Sequence, residues 1–377
     1  DYLEDMFVDE PTHTASGHNK AVPVSQAQAL DANLLDNWDD KDGYYCHIPG
    51  ELIDGRYEVG AVLGRGIFAQ VIRAKDKVSG NLVAIKIVRS NETMKRAGLK
   101  EIDILGILRA EDPDDKKHIV RLHRHFEHKN HLCMVFENLN IDLREVIKRH
   151  GRVAGINIKA VRGYAIQLFQ GLSLMKKSSI IHADLKPDNV LVTESLRDLK
   201  ICDLGSATYA SDTEITPYLV SRFYRAPEVI LGMNPDFAID MWSIGCTLFE
   251  LYTGKILFPG RSNNQMLKAI IDARGNFPLK MLKKAELAGL HFEDNGKTFR
   301  SNELDKFGRE TVRNYNYVRS ERDLKTRLSS YAKGLSYAEK QELNLFIDLL
   351  DKCLALNPEK RLTPNDALKH PFISRTK

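Results

Sequence analysis

Between Arg56 and Ser90 the chain alternates. In "RYEVGAVLGRGIFAQVIRAKDKVSGNLVAIKIVRS" apolar and polar residues change places at nearly every step. "KVSGN" adds turn chemistry, and together they predict strands joined as hairpins. The period then lengthens. "NETMKRAGLKEIDILGIL" sets Met94, Ile102, Leu105 and Leu108 near helical spacing, behind a capping side chain at Asn91. "HLCMVFENL" (131–139) returns to a short apolar strand. After "LNIDLREVIKRH" the pattern is mainly helical, as in "IKAVRGYAIQLFQGLSLMKK", "AIDMWSIGCTLFELYTG" and "ELNLFIDLLDKCLAL". Strands first and helices second predict two segregated lobes rather than alternating βαβ units. Residues 1–35 are polar and acidic without sustained periodicity, so a flexible tail is expected there.

Composition narrows this picture only slightly. With 377 residues there is room for two lobes with substantial cores. No apolar run approaches the roughly 18 residues of a membrane-spanning helix, so no membrane role is expected. "DYLEDMFVDE" is acidic and lacks the basic start of a secretory leader. The sequence opens on Asp1 rather than methionine, which points to a piece of a longer chain. Five cysteines at 46, 133, 202, 246 and 353 form no C-x-x-C pair and are odd in number. Buried free thiols in a reducing compartment, cytosol or nucleus, are the expectation. The net charge of +4 divides unevenly: residues 1–50 carry −8 and the rest +12. A basic body suits phosphorylated ligands or nucleic acid, but solvated surface lysines account for it equally well.

The candidate chemistry begins at "IIHADLKPDNVLV" (180–192). Asp184, Lys186 and Asn189 are spaced D-x-K-x-x-N between two runs of β-branched residues. Upstream, "LGRGIFAQV" (63–71) holds Gly64 and Gly66, with Ala69 in the place of a third glycine, where its Cβ should stiffen the loop. The residues after it alternate as a strand, so this is not a dinucleotide-binding fingerprint, which needs a helix after the glycines. A loop joining strand to strand lets backbone N–H groups cover phosphates. "VAIK" ends in Lys86, and Glu101 lies fifteen residues on in the predicted helix. Each feature alone has a plainer reading as a tight turn, a solvated lysine or a helix surface. Their common order makes accident a poor explanation.

With "CDLGSA" (202–207), "RAPE" (225–228) and "DMWSIG" (240–245), the set resembles the motifs of the eukaryotic protein kinases, in the same order. The resemblance implies an α+β, bilobal kinase fold over 55–373, with a small β-rich N-lobe (55–137) and a large helical C-lobe (138–373). It also implies roles. Asp184 would take the substrate hydroxyl's proton, and Lys186 would neutralise the transferring group. Lys86, paired with Glu101, would hold the α- and β-phosphates of ATP, while Asn189 and Asp203 would hold Mg²⁺. Leu204 stands where the family has Phe and keeps an apolar contact beneath the metal. The ATP site would also use Leu63, Gly64, Gly66, Phe68, Val71, Ala84, Phe136, the backbone of Glu137 and Leu139, Asp142 at the ribose, and Leu191. Glu228 and Arg361 would brace the large lobe.

Ala183 replaces the Arg that in this family grips an activation-loop phosphate, so what is missing is a clamp and not a chemical group. In the branch of mitogen-activated, dual-specificity and cyclin-dependent-like kinases (CMGC), a phosphotyrosine at Tyr218 would pair instead with Arg222 and Arg225. Ser221 would sit beside Asp184. A long insert, about 255–322, is similar to that of the same branch. "DNWDDKDGYYCHIPGELIDGRY" (36–57), "HADLKPDN" and "ITPYLVSRFYRAPE" resemble the pre-mRNA-processing kinases that act on the spliceosome. That resemblance implies a nuclear, monomeric enzyme acting on tri-snRNP or spliceosomal proteins. Residues 36–54, with Trp38, Tyr44 and Tyr45, are expected to dock on the small lobe. A kinase-shaped scaffold without catalysis is the alternative. Direct nucleic-acid binding is not expected, since no aromatic-and-glycine RNP signature occurs.

Overall fold

A computed structural model of the chain describes residues 38–151, 155–216, 218–316 and 322–374. The tail expected at 1–35 lies outside these residues, as do Asp36 and Asn37. The described residues form two compact units, one of residues 38–106 with 120–138, the other of 107–119 with 139–374.

The first unit is a six-stranded antiparallel sheet with one helix. Its strands are β1 (Leu52–Ile53), β2 (Tyr57–Arg65), β3 (Ala69–Asp76) and β4 (Leu82–Val88), then β5 (Leu122–His128) and β6 (His131–Glu137), in the order β1-β2-β3-β4-β6-β5. Alternation decides its two faces. Ile72, Ala74, Val83, Ile85 and Ile87 point to one side, where Tyr45, Ile53 and Tyr57 complete a core. Ala69, Val88, Leu132 and Met134 point to the other and pack with Met94 and Ile102 of helix α1 (Glu92–Glu111). Asn91 caps that helix, its Oδ1 accepting the amides of Thr93 at 3.0 Å and Met94 at 3.2 Å.

Two expectations change here. Ala69 is not in the glycine loop: it opens β3, pairs with Val88 and is buried, so its methyl serves packing and stiffens nothing. And of the five free cysteines four are buried, but Cys46 is exposed, because it comes after buried Tyr45 in an extended segment where neighbours face opposite ways. Burial pushes the Cys133 and Cys353 thiols up to about 12.

The segment from Trp38 packs within this unit. Tyr45 is 3% exposed, and Gln70 Nε2 donates to its carbonyl at 2.6 Å. Asp39 accepts from His131 Nε2 at 2.5 Å, and Lys129 Nζ lies 3.2 Å from the centroid of the Trp38 ring.

The second unit is mainly helical. It contains α2 (Leu143–His150), α3 (Ile158–Lys177), β7 (Ile180–Ile181), β8 (Val190–Val192), β9 (Leu199–Ile201), β10 (Thr208–Tyr209), α4 (Pro227–Ile230), α5 (Ala238–Thr253), α6 (Asn263–Arg274) and α7 (Leu279–Leu282). A small sheet of β11 (Phe292–Glu293), β12 (Thr298–Leu304) and β13 (Glu310–Tyr315) comes next, then α8 (Leu324–Ser329), α9 (Tyr337–Cys353), α10 (Pro364–Lys369) and α11 (Pro371–Ser374). A short hairpin, β8–β9, and an antiparallel pair, β7–β10, carry the residues around the D-x-K-x-x-N loop. α5 is buried on nearly every side, which its apolar run required. The sheet β11–β13 was not foreseen; "TFRSNEL" is too polar to read as a strand. Asn264 of α6 pins it, donating to the Arg300 carbonyl at 2.8 Å and accepting the Asn302 amide at 2.7 Å. No described helix is long and apolar enough to cross a membrane.

Candidate active site

In the first unit a group of the candidate residues lies on one face of the sheet. Val71 pairs with Lys86 and Ala84 with Phe136 across neighbouring strands, so all four side chains project to the same side. Lys86 Nζ reaches both oxygens of Glu101, at 2.8 and 3.1 Å. Glu101 is 3% exposed, and the ammonium is a charged partner for it in the interior. Leu63, near the end of β2, and Phe68, in the turn that follows, are exposed. Glu137 ends β6, its amide donating to the Arg121 carbonyl at 3.3 Å.

Gly64, in the last part of β2, and Gly66, in the turn, answer to no internal need. Neither Gly64 nor Gly66 has a positive φ. A Cβ at Gly64 would meet nothing within 4 Å, and one at Gly66 only the Ala69 carbonyl at 3.8 Å. Glycine where the fold does not require it leaves close approach of a ligand to the backbone as the physical reason.

The second unit carries its own group of candidate residues. His182 and Ala183 are fully buried, and Ala183 takes a left-handed φ of +66°. Asp184 Oδ1 accepts the Ser221 hydroxyl at 2.6 Å and the Ser221 amide at 3.2 Å. Lys186 Nζ donates to Ser221 Oγ at 2.8 Å and stands 3.9 Å from Asp184 Oδ2. Asn189 Nδ2 bonds the Asp184 carbonyl at 2.8 Å and Oδ2 at 3.2 Å. Its Oδ1 is then the atom open to a cation. Asp203 is exposed and left-handed, at φ 52° and ψ 73°, with Oδ1 accepting the Gly205 amide at 3.3 Å. Leu204 beside it is buried. One amide and one carboxylate suit Mg²⁺, which keeps waters and takes phosphate oxygens rather than entering a protein cage. Asp142 caps α2 through the Glu145 amide at 2.8 Å and bridges to Leu191 of β8; burial raises its carboxyl above the usual range.

Two anchors of this loop were not legible in the sequence. Asp240 of α5 accepts the His182 amide at 2.8 Å and the Ala183 amide at 3.0 Å. Arg144 of α2 forks onto Asp188 at 2.9 and 3.1 Å and continues to Glu250 at 2.7 Å and the Tyr224 hydroxyl at 2.8 Å. "DMWSIG" signalled Asp240 without its role; nothing signalled Arg144.

Further along, Tyr218 is 53% exposed and its ring centroid lies 5.7 Å from the Arg225 guanidinium. Arg225 holds the carbonyls of Tyr218, Leu219 and Val220 at 3.0–3.2 Å and Asn263 at 2.6 Å. Arg222 is buried, its guanidinium 5.7 Å from the Phe223 ring centroid. Arg361 and Glu228 meet as a buried bidentate pair at 2.5 and 2.9 Å.

Residues 57–373 match the family described as "Protein kinase domain". The chain belongs to the protein kinase family. It is 48% identical over 375 residues to "Serine/threonine-protein kinase prp4" of Schizosaccharomyces pombe, covering 99% of this chain and 78% of that protein. It is 41% identical over 383 residues to "Serine/threonine-protein kinase prpf4B" of Dictyostelium discoideum, covering 98% of this chain. There it spans about half the relative, 47% of its length. "Dual specificity tyrosine-phosphorylation-regulated kinase 3" of Homo sapiens is 36% identical over 341 residues, covering 90% of this chain and 57% of that protein. These relatives place the kinase among the serine/threonine type, with dual-specificity kin.

Proposed function

We propose that this kinase transfers the γ-phosphoryl group of ATP to serine and threonine hydroxyls of pre-mRNA splicing proteins, in the nucleus and as a monomer. The observation that carries the catalytic part is the set around Asp184. Its carboxylate is aimed by Ser221 and Asn189, with Lys186 alongside. Asp184 orients the acceptor hydroxyl and takes its proton as the oxygen bonds to the γ-phosphorus and ADP leaves. Lys186 offsets charge on the group in transit. Lys86, braced by Glu101, holds the α- and β-phosphates. Asn189 and Asp203 would hold Mg²⁺, which would neutralise charge on the phosphates.

The splicing substrates, among them tri-snRNP and spliceosomal proteins, rest on kinship with the prp4 and prpf4B kinases and on the resemblance of "HADLKPDN" and "ITPYLVSRFYRAPE". Ala183 cannot grip a phosphate. Autophosphorylation of Tyr218, exposed and close to Arg225, supplies the order that an arginine at 183 would have given.

The test is intact-mass spectrometry of the dephosphorylated chain before and after Mg²⁺ and ATP, beside Asp184→Asn. A gain of phosphate mapping to Tyr218 or nearby hydroxyls, absent in Asp184→Asn, is expected. No gain with nucleotide bound would replace this reading with that of a scaffold. Phosphorylation of purified tri-snRNP proteins then tests the substrate class.

A further inference from the structure

The turn from Trp38 to Cys46 reaches the phosphate loop. Asp40 Oδ1 accepts the Tyr44 amide at 3.0 Å, and Gly43 closes the turn at φ +81°, its carbonyl accepting the Ser90 amide at 2.8 Å. Buried Tyr45 anchors this turn, which leaves Tyr44 facing the loop between β2 and β3. Its hydroxyl donates to the Gly66 carbonyl at 2.6 Å and lies 3.3 Å from that of Ile67. Two guanidiniums cover the ring, Arg65 at 3.7 Å and Arg89 at 4.7 Å from its centroid. Both are themselves held. Arg65 pairs with Asp40 at 2.6 Å, and Arg89 bonds the carbonyls of Asp42 and Ile67, each at 2.8 Å.

These contacts have a consequence for the loop's amides. In a trans peptide C=O and N–H point in opposite directions, and there are no cis bonds among the described residues. Holding the Gly66 and Ile67 carbonyls on the Tyr44 side therefore turns the Ile67 and Phe68 amides to the opposite side. Neither amide donates a hydrogen bond among the described residues. The side chains at the loop's tip are exposed, Ile67 by 63% and Phe68 by 54%, so its peptide planes are set by bonds to the backbone: those of Tyr44, those of Arg89 to the Ile67 and Phe68 carbonyls at 2.8 and 3.0 Å, and that of the Gly66 amide to the Ala69 carbonyl at 2.8 Å.

We propose that Tyr44 is a positioning residue for the nucleotide: it fixes the Gly66 and Ile67 carbonyls and so presents the Ile67 and Phe68 amides to the phosphates. This inference rests on the nucleotide-binding reading of the Gly64–Gly66 loop. It gives the N-terminal segment a part in substrate affinity as well as in packing.

The test uses the full chain and mant-ADP with Mg²⁺. Tyr44→Phe removes one hydroxyl and keeps the ring between its arginines. A lost hydrogen bond of ordinary strength predicts mant-ADP binding weaker by about three- to tenfold. KM for ATP should rise by the same factor, with kcat towards myelin basic protein and Tm both close to wild type. Tyr45→Phe, which loses a 2.9 Å bond to Glu51, should lower Tm and leave nucleotide affinity unchanged. Wild-type affinity in Tyr44→Phe, or equal loss of affinity in both variants, overturns the inference. A wild-type chain that binds no mant-ADP overturns the nucleotide reading as well.

Discussion

Asp240 holds Ala183 from 57 residues away, accepting its amide at 3.0 Å inside the second unit. The same carboxylate takes the His182 amide, so two buried N–H groups beside the catalytic loop have one acceptor side chain. That acceptor keeps the left-handed turn at Ala183, and with it the direction of Asp184.

Asp240→Ala should therefore destabilise the kinase by about 2–5 kcal/mol, since two buried donors lose their partner. Phosphate transfer per folded molecule should fall at least tenfold. Denaturant titration and single-turnover rates check this; unchanged rates would show that the turn stands without Asp240.

Arg144 gathers Asp188, Glu250 and Tyr224 around one guanidinium. Burial opposes its charge, but its hydrogen bonds to Asp188 and the nearby Glu250 hold it above its usual value. Arg144→Met leaves Glu250, 3% exposed, without its cation, at a cost of about 3 kcal/mol. Arg144→Met/Glu250→Gln should recover part of that cost. Urea midpoints of both variants decide it.

For Glu228 and Arg361, loss of either partner should cost about 3–5 kcal/mol while kcat of the folded fraction holds. A double-mutant cycle in thermal or urea unfolding gives the coupling. A kcat effect without a stability effect would make the pair catalytic.

His291 carries a pH dependence. Burial, then the Arg300 charge, lower its pKa from 6.5 to about 4, and Nδ1 faces the Asn264 amide at 3.0 Å. The unfolded chain takes up this proton near pH 6.5, the folded chain only near 4. The contribution is complete above 6.5 and is lost as pH falls towards 4, by up to about 3 kcal/mol. His291→Gln should lack that component, seen as the difference between the two urea-stability profiles from pH 7.5 to 4.

Gly66→Ala separates ligand demand from fold demand. With only the Ala69 carbonyl near a new Cβ, at 3.8 Å, Tm should hold or rise slightly. Mant-ADP affinity should fall several-fold. A large loss of Tm would place the need for glycine in the fold instead.

The legible part of the site is the part written in short spacings. Asp184, Lys186 and Asn189 lie within six residues of one another, and a loop that short keeps its side chains together wherever it is placed. Lys86 and Glu101 could be paired because a strand followed by a helix carries its own periodicity. Arg144 and Asp240 were not legible as anchors, since their bonds cross 44 and 57 residues and depend on how α2 and α5 pack. Tyr44 was expected to dock, but its aim at Gly66 depends on the turn at Gly43 and on Tyr45 filling the core.

By itself the sequence determined the strands of the first unit, the main helices, the order of the motifs and the chemical groups, because alternation, helical spacing and short motifs are local properties. Tertiary structure decided which backbone groups those side chains hold, put Ala69 in a strand, exposed Cys46 and built β11–β13 from a polar stretch. Those outcomes depend on partners distant in the chain. A buried donor or carboxylate is stable only when a partner is present, and no local pattern records where that partner comes from.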